Sequence, residues 1–350
     1  MSLSGKIEND AFDALILNHC GYRRNEVSTG PGFGVDVAVI DLPGDMAFAL
    51  TSDPLSLIPS LGLQESAWLS VHLMANDMAT TGFAPMYAQM VLNLPVSLSN
   101  NDFKTYWEYI HQYCSQIGVA ITGGHTGGIE GQNSTIAGGG TMLLTAPKKQ
   151  IRISKKAKAG NVIIVTKECA LSSAAILAMS FPETVKSKSG KEVYDNGCAL
   201  FYQTSSLQDG LIAADTINNS TAVTAMHDVT EGGVLGAVYE MAVASGNGVY
   251  INNDALPVSN ATEKICDLFG IDKRFCIGAG AMIIAAEKQD AQNVIQRLQQ
   301  HNIKATVIGT FTEKESGYTL IEDGVEKELP YFSKDPYWQA FYNAYNNGWR

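Results

Sequence analysis

The chain has 350 residues, of which 45% are hydrophobic and 17% charged, so sizeable cores are affordable and a disordered chain is excluded. Its net charge of −11, with no long Lys/Arg run, argues against nucleic acid or an anionic membrane as a main partner. Six scattered cysteines without a C-x-x-C pair read as free thiols of a reducing compartment. With no basic-then-apolar leader and no apolar run approaching the ~18 residues of a membrane helix, the expectation is a soluble cytoplasmic protein.

In chain order, apolar runs suited to strands fall at 35–40, 46–53, 86–94, 118–124 and 141–146. Helical patterns lie between them, around 65–80 and at 102–117, where Asp102 is the expected cap. The stretch 147–160, "PKKQIRISKKAKAG", is the most basic and reads as a surface connection between two halves, 1–150 and 151–350. The second half begins with a strand at 161–167 and a helix at 172–181. A polar loop follows around 183–196, then a long helical region at 198–217 and a helix near 234–245. Two strands with a helix between them complete the pattern, and "PYWQAFYNAYNNGW" is expected to pack onto a core or a subunit interface. This is mixed α/β in both halves, without internal repeats.

Asp77, in "HLMANDMATTGFAP", is the most telling single residue. An ionised carboxylate in an otherwise apolar helix is costly unless a metal, a cation or several hydrogen bonds meet it. Asp36 follows a Pro-Gly-x-Gly turn, Asp53 closes "AFALTSD", Gly123–Thr126 end "VAITGGHT", and His227–Asp228 open "HDVTEGG". Polar groups at strand ends are where α/β proteins place ligands, and several acids without matching bases favour Mg2+. Gly123 and Gly124 lack a Cβ, so their N–H groups could approach an anion, although a Gly-Gly pair is commonly only a turn. Neither a Walker loop nor a G-x-G-x-x-G helix start is present. His72 reads as packing, and so does Cys20.

Taken in order, "PGFGVDVAVI", "TSDPL", "ANDMATTGFAP", "ITGGHT" and "HDVTEGG" resemble the motif series of the AIR-synthase-like (PurM-like) superfamily. Within it they are similar to the HypE-like, AIR-synthase-related group. The resemblance implies a two-domain PurM-like fold: N-terminal halves paired into a β-barrel homodimer, and a C-terminal mixed α/β domain. It implies ATP and Mg2+ as cofactors, with Asp36, Asp53 and Asp77 as metal ligands. Asn76, Gly123, Gly124, Thr126, Lys167, Gly232 and Gly233 would contact the nucleotide, and Asp77, Asp228 and His125 would be catalytic. Asp228 and Glu231 would face the first half's metal site across a cleft.

The departures are specific. The family's Gly-Asp-Asp is Gly34-Val35-Asp36 here, and "GGDT" is Gly123-Gly124-His125-Thr126, so two acids are missing. The chain ends "NNGWR" with its last cysteine at Cys276, so HypE's carbamoyl chemistry on a tail thiol is not expected. Three readings follow from the resemblance. The first is an Mg·ATP-dependent enzyme that phosphorylates an oxygen of a small substrate, with a partner protein if it is HypE-like. The second is a non-catalytic ATP-binding module, and the third a small-molecule kinase like thiamine-monophosphate kinase.

Overall fold

A computed structural model of the chain describes residues 5–7 and 9–350; Met1–Ser4 and Glu8, in the stretch on which the expectation of no leader rests, lie outside the described residues. After a short helix α1 (Asn9–Leu15), the first sheet contains β1 (Val27–Thr29), β2 (Ala38–Asp41), β3 (Met46–Ser56), β4 (Tyr87–Pro95), β5 (Ala120–Ile129) and β6 (Ile136–Pro147). Their order is β1-β2-β3-β6-β4-β5, antiparallel throughout except for the β4–β5 pair. Alternation along β3 buries Ala47, Ala49 and Leu55. They pack with α2 (Leu63–Ala79) and α3 (Asn100–Gln116), whose Val71, Met74, Met78, Tyr106 and Ile110 belong to the same cluster.

The second sheet contains β7 (Val162–Thr166), β8 (Val223–Asp228), β9 (Gly248–Asn252), β10 (Met282–Ala286), β11 (Ala305–Thr312), β12 (Tyr318–Glu322) and β13 (Val325–Glu328), ordered β13-β12-β9-β11-β7-β10-β8. β7 and β10 are buried along their whole lengths. Helices on both faces explain why these strands read as continuous apolar runs rather than alternating ones. Ile163, Val165 and Ile283 pack with Val234, Val238 and Met241 of α8 (Gly233–Ser245). Ile164 and Ile284 turn the other way, toward Leu207 of α7 (Leu207–Ala214) and Leu298 of α10 (Ala291–Gln300). That second cluster is continuous with the core under the first sheet, so one apolar body joins the two sheets.

Several expected boundaries move. β3 runs on through Asp53 and Pro54 to Ser56, and β5 runs on to Ile129, so neither Asp53 nor Gly123–Thr126 ends a strand. Ser99, not Asp102, caps α3: its hydroxyl oxygen accepts from the Asp102 N–H and its O–H donates to Asp102 Oδ2. The expected polar loop at 183–196 is helical, as α5 (Pro182–Ser189) and α6 (Lys191–Ala199). Between α6 and α7 the expected long helix is broken by a turn and the loop 204–206. The aromatic tail forms α11 (Pro336–Asn346), burying Tyr337, Ala340 and Ala344 against Phe181 and Ile265 of the second half. Cys20 is exposed rather than packed, its thiol directed at the Ile16 carbonyl. No helix among the described residues is long and apolar enough to cross a membrane.

Candidate metal and nucleotide site

Four separate elements deliver four aspartates to one region between the sheets. Asp36 precedes β2, Asp53 lies on β3, Asp77 is in the last turn of α2, and Asp228 ends β8. One oxygen each of Asp36, Asp77 and Asp228 lie within 4.8 Å of one another. Among the described residues Asp77 meets no counter-charge there. The Thr51 hydroxyl donates to its Oδ2 at 2.7 Å. Burial, then Asp228, Asp53 and Asp36, push its carboxyl well above the usual range. The negative end of the α2 dipole works in the same direction, because the carboxylate sits at the helix C-terminus. Burial also raises Asp228 to about 7 and Asp53 to about 6, each with a further push from a neighbouring acid.

Such a set fits a hard divalent cation: all-oxygen donors, clustered, and destabilised by their own repulsion until a positive charge arrives. Mg2+ bound by Asp36, Asp77 and Asp228, with Asp53 alongside, would neutralise them and polarise phosphate oxygens.

The opposite edge of the cluster carries its own cation. His227, next to Asp228, is buried with Nδ1–H donating to Asp36 at 2.8 Å and Nε2–H to Glu240 of α8 at 3.3 Å. Burial alone would lower its pKa, but Asp36 and Glu240 lift it to about 10. Glu240 responds in reverse: burial would raise it, yet Lys6 and His227 hold it below the usual range. Ser154 completes the group, its hydroxyl 3.1 Å from His227 Nδ1 and 3.4 Å from Asp36 Oδ2. Lys6 donates through Nζ to the Thr230 hydroxyl and through its backbone N–H to Glu231. A pocket of about 250 Å³ opens beside this group, walled by Phe12, Phe33, Tyr331 and Phe332.

Other expected site residues point elsewhere. Asn76 adjoins Asp77 in sequence, but its amide clamps the loop 204–206, donating to the Thr204 carbonyl at 2.9 Å and accepting from the Ser206 N–H at 2.7 Å. Trp68 and His72, two turns and one turn earlier on the same helix face, grip the same loop through the Thr204 and Ser205 hydroxyls. His72 is packed under Trp68, and burial holds it down to about 4. Lys167 Nζ reaches Asp209 at 3.0 Å and the carbonyls of Gln203, Ser205 and Gly280 at 2.7–3.1 Å, leaving no donor for a phosphate.

Gly123, Gly124, His125 and Thr126 lie mid-strand on β5, at the sheet edge. Asp53, Gly140, Met90 and Gly124 share one row across β3, β6, β4 and β5. Three strand spacings, about 14 Å, therefore separate the His125 stretch from Asp53 of the same chain. Gly124 is required by contact: a Cβ there would lie 1.8 Å from the Met90 carbonyl oxygen. At the start of α8, the Gly232 N–H is already taken by Asp335 Oδ2 at 2.8 Å, and a Cβ on Gly233 would strike the Arg274 carbonyl at 2.5 Å. Glu231 accepts from the Lys6 N–H and from Trp338 Nε1, and its charge contributes to the upward push on Asp53.

The residues missed from the sequence are Glu240, Ser154, Thr51 and Lys6. A signal existed for Glu240, a lone carboxylate in the apolar helix "GVLGAVYEMAVAS", by the same reasoning that singles out Asp77.

Two sheets that share one core, with clustered aspartates between them, define a two-sheet α/β protein with an acidic cluster whose donors suit a divalent cation. The N-terminal domain profile of AIR synthase related proteins matches residues 34–143, and the C-terminal domain profile matches 158–321. The chain belongs to that family. A protein of Methanocaldococcus jannaschii named for hydrogenase expression/formation is 26% identical over 336 residues, 93% of each chain. Carbamoyl dehydratase HypE of Escherichia coli is 28% identical over 306 residues, 84% of each chain. The solved structure of hydrogenase maturation protein HypE in complex with ATP has the same fold, with a TM-score of 0.66 at 18% identity, covering 94% of this chain and 95% of that one. Both halves of the expected PurM-like, HypE-like resemblance are thereby met.

Proposed function

We propose that the protein is an Mg·ATP-dependent enzyme that transfers phosphate to an oxygen of a small substrate, in a HypE-like role in hydrogenase maturation. The observation that carries this is the convergence of Asp36, Asp77 and Asp228 within 4.8 Å, with Asp77 half-buried and meeting no cationic side chain among the described residues. Asp36, Asp77 and Asp228 would hold the metal, with Asp53 alongside, and the metal would offset charge on the phosphoryl group being transferred. The His227 imidazolium would fix Asp36 in place and keep Glu240 ionised. The pocket walled by Phe12, Phe33, Tyr331 and Phe332 would seat the acceptor next to these acids. Cys276 is no carrier in this reading, because it is buried and its thiol is pushed well up by Cys266 and by burial.

Nucleotide placement would rest on backbone and metal rather than on Lys167 or Asn76, both committed to the joint around loop 204–206. β5 is an edge strand exposed along most of its length, and we assign it as the seam of a homodimer. The family's HypE members support a partner protein as well.

A second reading, an ATP-binding module without turnover, is favoured by Val35 and His125, which stand where the family carries acids. ADP release separates the two. With Mg·ATP and a panel of primary amides and carboxylic acids, the wild type should form ADP faster than Asp77→Asn for at least one member. Equal rates across the panel would leave only the binding module.

A further inference from the structure

The basic connector is not used by the site above. Six of the chain's 24 cations fall within residues 148–158 of a protein whose net charge is −11. They are not spread over a flat surface. Lys149, Arg152, Lys155, Lys156 and Lys158 line a cavity of about 490 Å³ in which no Asp or Glu takes part, and the remaining lining is rich in Ser, Thr and Asn.

Arg152 is the built part of this cavity. It is buried, and its guanidinium donates to the carbonyls of Val223, Gln150, Ala214 and Ser220 at 2.7–3.0 Å. Among the described residues no carboxylate lies within ion-pair distance of it; carbonyl dipoles solvate its charge, and Asp215, paired with Arg297, acts on it only from further away. Burial lowers its pKa, and Arg297 adds to that push. Lys156 Nζ caps the Ile151 carbonyl, and Lys158 lies 3.6 Å from Glu287. Lys149 and Lys155 are exposed and have no ion pair among the described residues. A concave wall that carries a buried guanidinium without a direct ion pair and two free ammonium groups focuses positive potential into its volume.

We propose that this cavity is a second binding site, for a small soluble polyanion bearing phosphate or several carboxylates. Lys149 and Lys155 supply mobile charge, Arg152 supplies fixed charge, and the exposed Thr221 hydroxyl can donate to anionic oxygens. Its volume suits a small molecule rather than an extended chain. The site is distinct from the aspartate cluster: Thr224 and Asp228 sit at opposite ends of β8, about 13 Å apart along the strand.

The test is calorimetric titration of pyrophosphate into the intact protein in metal-free buffer, with chloride matched for ionic strength. Without metal the aspartates repel the probe, so any heat belongs to the basic cavity. Saturable binding of one pyrophosphate per chain is expected, weakened roughly tenfold or more in Lys149→Ala/Lys155→Ala and retained in Lys155→Arg. No binding to the wild type, equal affinity in the double variant, or heat that matched chloride reproduces would overturn the proposal. So would binding of poly-glutamate in place of pyrophosphate, which would mark a docking face for an acidic protein. None of these outcomes bears on Mg·ATP binding at the aspartates.

Discussion

Asp77 and Glu240 are alike in sequence and opposite in fate. Each places one carboxylate in an apolar helix, α2 or α8, and each ends beside the same cluster. Glu240 meets a fixed cation, the His227 imidazolium, and is held below its usual range. Asp77 meets three other aspartates and is pushed far above it. One edge of the cluster is thus neutralised from within, while the other is arranged for a cation from outside. Burial of charge has a structural outcome where the counter-ion is covalently part of the chain, and a binding outcome where it is not.

The strongest way to break this contrast is to remove the internal cation. His227→Ala leaves Asp36 and Glu240 buried without their partner. It should cost about 3–5 kcal/mol in urea denaturation. A loss near zero would mean that the imidazolium does not balance those acids. The pH profile has a matching sign. With a folded pKa of about 10, His227 adds stability that is complete below its ordinary 6.5 and fades as pH rises toward 10.

The joint around loop 204–206 gives the next effect. Asn76→Ala removes two buried hydrogen bonds and should cost about 2–3 kcal/mol in the same assay, with Mg·ATP affinity unchanged in the folded variant. A selective loss of affinity with stability intact would return Asn76 to the nucleotide site.

Proton release sharpens the other edge of the comparison. Raised carboxylates hold protons in the folded state that the unfolded chain has lost, so metal-free stability should fall as pH rises from about 4 toward 7. Mg2+ needs ionised oxygens, and binding near pH 6.5 should release protons, seen as a titration heat that depends on the buffer's ionisation enthalpy. The dependence should shrink by about pH 8.5, where Asp53 and Asp228 are already ionised. Buffer-independent heat at the lower pH would show that these acids do not meet the metal.

The mixed α/β architecture was legible from periodicity, and Asp77 from the cost of burying its charge. Glu240 is equally legible by that rule, but no motif surrounds it to mark it as part of a site. The glycines of "GGHT" misled because a glycine run in a sheet and one in a loop look alike in sequence. Only the Met90 carbonyl against Gly124 shows that close strand approach is the reason. Asn76 and Lys167 misled for another reason: their partner, the loop 204–206, lies some 130 and 40 residues away and carries no signal of its own. The polar segment 183–196 reads as a loop because its apolar content is low, yet tertiary packing of Val185 and Val193 makes it helical.

The most direct measurement is calorimetric titration of Mg·ATP into the wild type and Asp77→Asn, which keeps the Thr51 contact while removing the charge. Saturable binding to the wild type and none to a folded Asp77→Asn is the expected result. Equal binding to both would contradict the assignment of the aspartate cluster as the metal and nucleotide site.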